Sequence, residues 1–161
     1  MTTELIAREA PASYVLDAHR VRPGYKQTEV GVIPVDWEVK QLSDIAEIDP
    51  DNLGSNTQPN FTFNYISLED IDVGRLASYS EQVFRTAPSR ARRRLRKDDV
   101  LVSTVRPNLK SHLLFSFDSQ AWVCSTGFSV ARCKEGLAHS GYIYSHLFAE
   151  CVSHQIESLL T

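Results

Sequence analysis

Phe61, Phe63 and Tyr65 alternate with polar Thr62 and Asn64, the period of two that lays one face of a strand on a core, and predict a strand over 61–67. Leu68 to Ile71 makes one turn before Gly74. Asp99 to Val105 is β-branched and almost continuously apolar, which predicts a buried strand stopped by Arg106-Pro107-Asn108. Further strands are expected over 113–117, 121–124 and 128–133. Tyr144, Phe148, Val152, Ile156 and Leu160, with Ile143, Leu147 and Cys151 beside them, repeat at i,i+4 and predict one long helix over 140–160 with a face on a core. A run of short strands followed by such a helix indicates an α+β class.

Other segments read less regularly. Residues 1–24 form a peripheral segment, with a helix expected over 4–20 and interrupted by Pro11. Pro23-Gly24 marks a break, after which 25–38 is extended, with Trp37 as the first large core anchor. Leu42, Ile45, Ala46 and Ile48 suit either a helical turn or a strand, and periodicity leaves both open. Asp49 to Asn60 is the longest polar loop. After Pro88, Ser89 to Leu95 reads as a short basic helix or turn.

At 161 residues the chain corresponds to one domain or a large piece of one. No apolar run is long enough to span a membrane, and the N-terminus lacks a signal-peptide pattern, so a cytoplasmic location is expected. Cys124, Cys133 and Cys151 form no C-x-x-C pair and read as reduced, buried thiols. The helix stripe runs uncapped into Leu159-Leu160-Thr161, so the chain is expected to be incomplete there and to self-associate or be only marginally stable.

The net charge of −3 hides a strong polarity. Residues 85–110 hold nine of the 17 Lys and Arg but only two acids, Asp98 and Asp99, so the rest of the chain is net acidic. A basic face on an acidic body suits a large anion, and nucleic acid is the commonest. Catalytic patterns are weak: the five histidines have no zinc-site spacing, no glycine-rich phosphate loop is present, and no cofactor is implied. The alternative enzyme reading is a small Mg²⁺-dependent nuclease using Asp98 and Asp99, although a turn entering a strand also explains both acids.

Four segments together resemble the target recognition domain of the specificity subunit of type I restriction-modification systems. They are Gly31-Val32-Ile33-Pro34-Val35-Asp36-Trp37 through Ile45, Tyr65-Ile66-Ser67-Leu68-Glu69-Asp70-Ile71, Asp98-Asp99-Val100-Leu101-Val102-Ser103-Thr104-Val105-Arg106-Pro107-Asn108, and Ser125-Thr126-Gly127-Phe128. They follow the family's order from Tyr25 onward, which makes 25–161 the recognition domain. The resemblance implies a twisted, mostly antiparallel sheet of short strands with flanking helices. It implies a non-catalytic chain that holds one half of a bipartite double-stranded DNA target for a partner modification (methyltransferase) subunit and a partner restriction (motor and endonuclease) subunit. The family's helical spacer and second recognition domain are absent here, and its usual Gly-Asp is replaced by Asp98-Asp99, which loses the residue that most easily takes positive φ.

Under this resemblance the basic segment supplies phosphate contacts: Arg90, Arg92, Arg93, Arg94, Arg96, Lys97, Arg106 and Lys110. Arg106, at the end of a strand, is the leading single clamp, its alternative being an ion pair with Asp70 or Asp72. A motif shared by readers of different targets does not encode the target, so base readout is expected from loop amides, Asn56, Gln58, Asn60 and Asn64, with Asn52 beside them.

Overall fold

The structure, a computed structural model, describes residues 21–105, 107–118 and 121–158. The helix expected over 4–20, the Arg106 clamp and the uncapped end at 159–161 lie outside these residues. The chain divides into two compact units, 1–39 and 40–161.

In the first unit, β1 (Tyr25–Thr28) and β2 (Gly31–Pro34) form an antiparallel hairpin in which Thr28 faces Gly31. Gly31 turns the chain at φ 111°, and the Thr28 hydroxyl donates to its carbonyl at 2.7 Å. Trp37, expected to be a core anchor, is instead 56 % exposed. Among the described residues of this unit, 21–39, the two-stranded hairpin supplies no second layer into which such a ring could insert.

The second unit begins with both structures that 41–48 left open. A single turn, α1 (Leu42–Ile45), is capped by the Asp44 carboxylate on the Gln41 amide and runs directly into β3 (Ala46–Ile48). Next come β4 (Thr62–Ile66), the short ribbon β5 (Ile71–Asp72) and β6 (Arg75–Leu76), then β7 (Ser80–Val83), β8 (Ala91–Leu95) and β9 (Val100–Ser103). The chain continues through β10 (Leu113–Leu114), β11 (Trp122–Ser125) and β12 (Phe128–Cys133) to the helices α2 (Ser140–His146) and α3 (Glu150–Ser158).

These strands make two four-stranded sheets. One has the order β10-β9-β12-β3 and is antiparallel throughout; the other has the order β7-β4-β11-β8 and is antiparallel except for β4 beside β11. The α+β class and the predominance of antiparallel pairing therefore hold. Leu101, Leu113, Phe128 and Val130 of the first sheet share a buried cluster with Ile66, Leu95, Trp122 and Cys124 of the second. Ile143 of α2 joins Ala46, Val100 and Ala131 in a second cluster. A third, built on Leu53, Phe63, Tyr65, Ala91 and Val123, lies on the other face of the β8 sheet. None of the helices among the described residues is long and apolar enough to cross a membrane.

Two expectations are corrected. The basic stretch 89–95 is a strand, β8, because β11 pairs with it on one edge and its ends are buried on opposite faces of the sheet, Ala91 with Phe63 and Leu95 with Trp122. The expected 140–160 helix is two helices. Phe148 and Ala149 donate to Ser145 and His146 three residues back, and this tighter turn ends α2. Phe148 then packs edge-on to His112 and Tyr144, with ring centroids 5.7 and 5.2 Å away.

Three of the motif segments converge at one corner. Thr104 donates both its amide and its hydroxyl to the Gly127 carbonyl, at 3.0 and 2.8 Å, and Ser125 Oγ accepts from the Gly127 amide. A Cβ on Gly127 would lie 2.6 Å from Leu68 Cδ1. This glycine is required by close approach.

Candidate nucleic-acid interface

The outer edge of β8 is taken by the stem of the polar loop. Leu53 donates its amide to the Arg92 carbonyl at 2.7 Å, Arg94 donates to the Asp51 carbonyl at 3.0 Å, and Asn52 bridges to Arg93. Burial of Leu53 at 3 % exposure holds the stem down. The arginine-rich strand and the amide-rich loop, forty residues apart in the chain, are thereby laid side by side.

Alternation along a strand then sorts the arginines. Arg92 and Arg94 point to the outer face, where their guanidinium carbons lie 5.3 Å over the Phe84 ring and 5.1 Å over the Phe61 ring. Arg92 Nη1 also donates to the Ala91 carbonyl. Between them Arg93 points the other way: Nη2 pairs with Asp49 Oδ2 at 3.0 Å and Nη1 donates to Asn52 Oδ1 at 3.1 Å. Arg96 and Arg94 share Asp51, at 3.7 and 3.9 Å, and Lys97 meets Asp118 at 3.5 Å. Arg90 is exposed at the start of the strand, with no acidic partner among the described residues. Lys110 lies in the turn after Pro107–Leu109 with φ 53°. Acids remote in sequence thus neutralise much of the charge that 85–110 carries, Arg94 on the outer face included, whereas Arg92 and Arg90 have no acidic partner among the described residues.

Of the expected base readers, Asn56, Gln58 and Asn60 are exposed on the loop beside this face. Asn64 does not join them: it is 4 % exposed inside β4, opposite Trp122 of β11. Asn52 spends its amide internally, accepting from Arg93 and donating to the Asp49 carbonyl. Sequence reasoning missed Phe84 and the use of Phe61 as a platform. Phe61 had an alternation signal, whereas Phe84, just after β7 at the far edge of the sheet, lies over Arg92 through the connection from β7 to β8.

The acidic pair is structural. Asp98 turns the chain at φ 69°, the conformation for which a glycine would be the easy choice, and Asp99 is 1 % exposed. Its carboxylate accepts from Arg132 Nε at 2.8 Å, Arg132 Nη2 at 2.7 Å and the Arg96 amide at 2.7 Å. That hydrogen bonding to Asp99 raises the Arg132 pKa. Both Asp99 oxygens are thus committed to hydrogen bonds within the fold. Among the described residues no group of three His, Cys, Asp or Glu is placed to hold a metal.

Asp70 likewise needs no arginine. Burial alone would raise its pKa, but hydrogen bonds from the Ser78 hydroxyl and from the Ser67 hydroxyl and amide outweigh that and hold it below the ordinary value. Cys124 is buried and its thiol pKa is pushed far up by desolvation, as an inert thiol requires; Cys133 is partly buried and also unpaired.

The two sheets, their shared core and the arginine strand define an α+β domain of mostly antiparallel sheets. No protein-family model and no curated protein matches the chain. Solved structures do. A chain of the type I R-M system, from a structure addressing complex assembly and conformational transition, aligns over 87 % of this chain and 33 % of its own, with TM-score 0.67 and 26 % identity. The HsdS subunit from Thermoanaerobacter tengcongensis aligns over 85 % of this chain and 32 % of its own, with TM-score 0.66 and 26 % identity. This chain has the fold of a target recognition domain of a type I restriction-modification specificity subunit, and spans about a third of the length of these neighbours.

Proposed function

We propose that this chain is a non-catalytic, sequence-specific DNA-binding module that reads one half of a bipartite target for partner methyltransferase and motor-endonuclease subunits, with no cofactor of its own. The observation that carries this reading is the outer face of the β8 sheet. There Arg92 and Arg94 sit over aromatic rings next to three exposed loop amides. Guanidinium groups held in this way are pre-oriented for phosphate oxygens, while Asn and Gln side chains suit the paired donor and acceptor of an adenine edge. The likeness to specificity-subunit structures supports the same assignment.

The test is a salt titration of duplex binding by fluorescence anisotropy. Replacing Arg92 and Arg94 by Ala should weaken target and random duplexes alike and flatten the log K against log[salt] slope by about 0.9 per lost phosphate contact. Replacing Asn56, Gln58 and Asn60 by Ala should erode the ratio between duplexes by about 1–3 kcal/mol per bidentate contact while sparing the slope. Binding indifferent to both sets of replacements would overturn the proposal.

A further inference from the structure

Arg93 sits in the middle of the arginine run, yet its surroundings differ from those of its neighbours. Its side chain is 22 % exposed, against 40 % for Arg94 and 68 % for Arg96. Nε is buried without a partner among the described residues, and both terminal nitrogens are spent on the loop stem, on Asp49 and Asn52. Asp49 is the residue at which the chain leaves the first sheet. It turns at φ 52°, exchanges backbone and side-chain hydrogen bonds with Val130 of β12, each 2.8 Å, and turns its other oxygen to Arg93. One guanidinium therefore clasps the exit of one sheet to the edge of the other, at the root of the loop that carries Asn56, Gln58 and Asn60.

We infer that Arg93 is a positioning residue: it fixes the 54–60 loop against β8 and so sets sequence discrimination, while phosphate affinity belongs to the arginines on the opposite face. This rests on the DNA-reading role proposed above. A planar fork suits the task because it meets two acceptors on different residues at once. A lysine keeps the charge but grips as a single point, and Asp49→Asn keeps an acceptor for the Val130 amide while removing the ion pair.

The experiment uses the full chain with Arg93→Lys and Asp49→Asn, and Arg92→Ala as the phosphate comparison. Amide hydrogen exchange, without DNA, should quicken at Leu53 and Arg94 in both clasp variants and stay unchanged at Val123 and Cys124 in β11. Anisotropy then compares a labelled duplex that the wild-type chain selects from a randomised pool with a scrambled duplex of equal composition. Both clasp variants should lose roughly tenfold in the ratio between the two duplexes, with an unaltered salt slope, whereas Arg92→Ala should flatten the slope and keep the ratio. Unchanged exchange at Leu53, or an unchanged ratio between the two duplexes in both clasp variants, would overturn the positioning role and leave the DNA reading standing. A wild-type chain that selects no sequence would overturn both.

Discussion

Arg132 grips the buried carboxylate of Asp99 from a neighbouring strand in a two-point fork, Nε to Oδ1 at 2.8 Å and Nη2 to Oδ2 at 2.7 Å. Asp99 also accepts from the Arg96 amide, so one side chain joins the turn before β9 to β12. Removing one partner strands the other in a desolvated site. Arg132→Met should therefore cost about 3–5 kcal/mol in chemical denaturation, and Asp99→Asn a comparable amount. A loss below about 1 kcal/mol for both would show that solvent screens the pair as it does a surface pair.

His112 is fully buried, accepts the Ser103 amide at Nδ1 and leaves Nε2 without a partner among the described residues. Burial, reinforced by the Lys110 charge, lowers its pKa from the ordinary 6.5. As pH falls the unfolded chain is protonated first, so this contribution to stability is complete above about pH 6.5 and declines below it, by at most about 1.4 kcal/mol per pH unit. In His112→Asn, whose amide oxygen still accepts from Ser103, that part of the slope should vanish. Equal slopes for the two proteins between pH 7 and 5, read from denaturant midpoints, would contradict the assignment.

Gly127 leaves no room for a methyl group, since a Cβ would meet Leu68 Cδ1 at 2.6 Å and Cγ at 3.1 Å. Gly127→Ala should destabilise by about 1–3 kcal/mol through overpacking. Adding Leu68→Val, which withdraws volume from that contact, should restore part of it. Thermal melts of the two single variants and the double variant measure the coupling, and strict additivity would argue against a shared contact.

Phe84 supports Arg92 at 5.3 Å. Phe84→Leu keeps every charge, so the salt slope of duplex binding should stay as in the wild type. Affinity should fall about two- to fivefold, the value of an exposed cation–π contact of about 0.5–1 kcal/mol. A flattened slope in this variant would mean that Phe84 sets how many phosphates are met, rather than how firmly Arg92 is held.

What the chain determined by itself is its local periodicity and punctuation. The strands over 61–67, 99–105 and 128–133, the α+β class and the ordered motif segments were legible because side-chain alternation and turn residues act over a few positions. The placement of the arginines was not. Seven consecutive residues after Pro88 carry no intrinsic preference strong enough to choose strand over helix, and only pairing with β11 on one edge and the 49–53 stem on the other makes β8 extended. That choice turns Arg93 away from Arg92 and Arg94 and brings Asp49, Asp51 and Asp118 to charges that look unopposed in the sequence. The same dependence on sheet order buried Asn64 and joined Asp99 to Arg132, and the path of the chain from β7 to β8 hid Phe84. It also placed Phe148 on His112, where a uniform stripe predicted one unbroken helix. Which strand lies beside which is decided by the burial of residues distant in sequence, and that is a property of the assembled core alone.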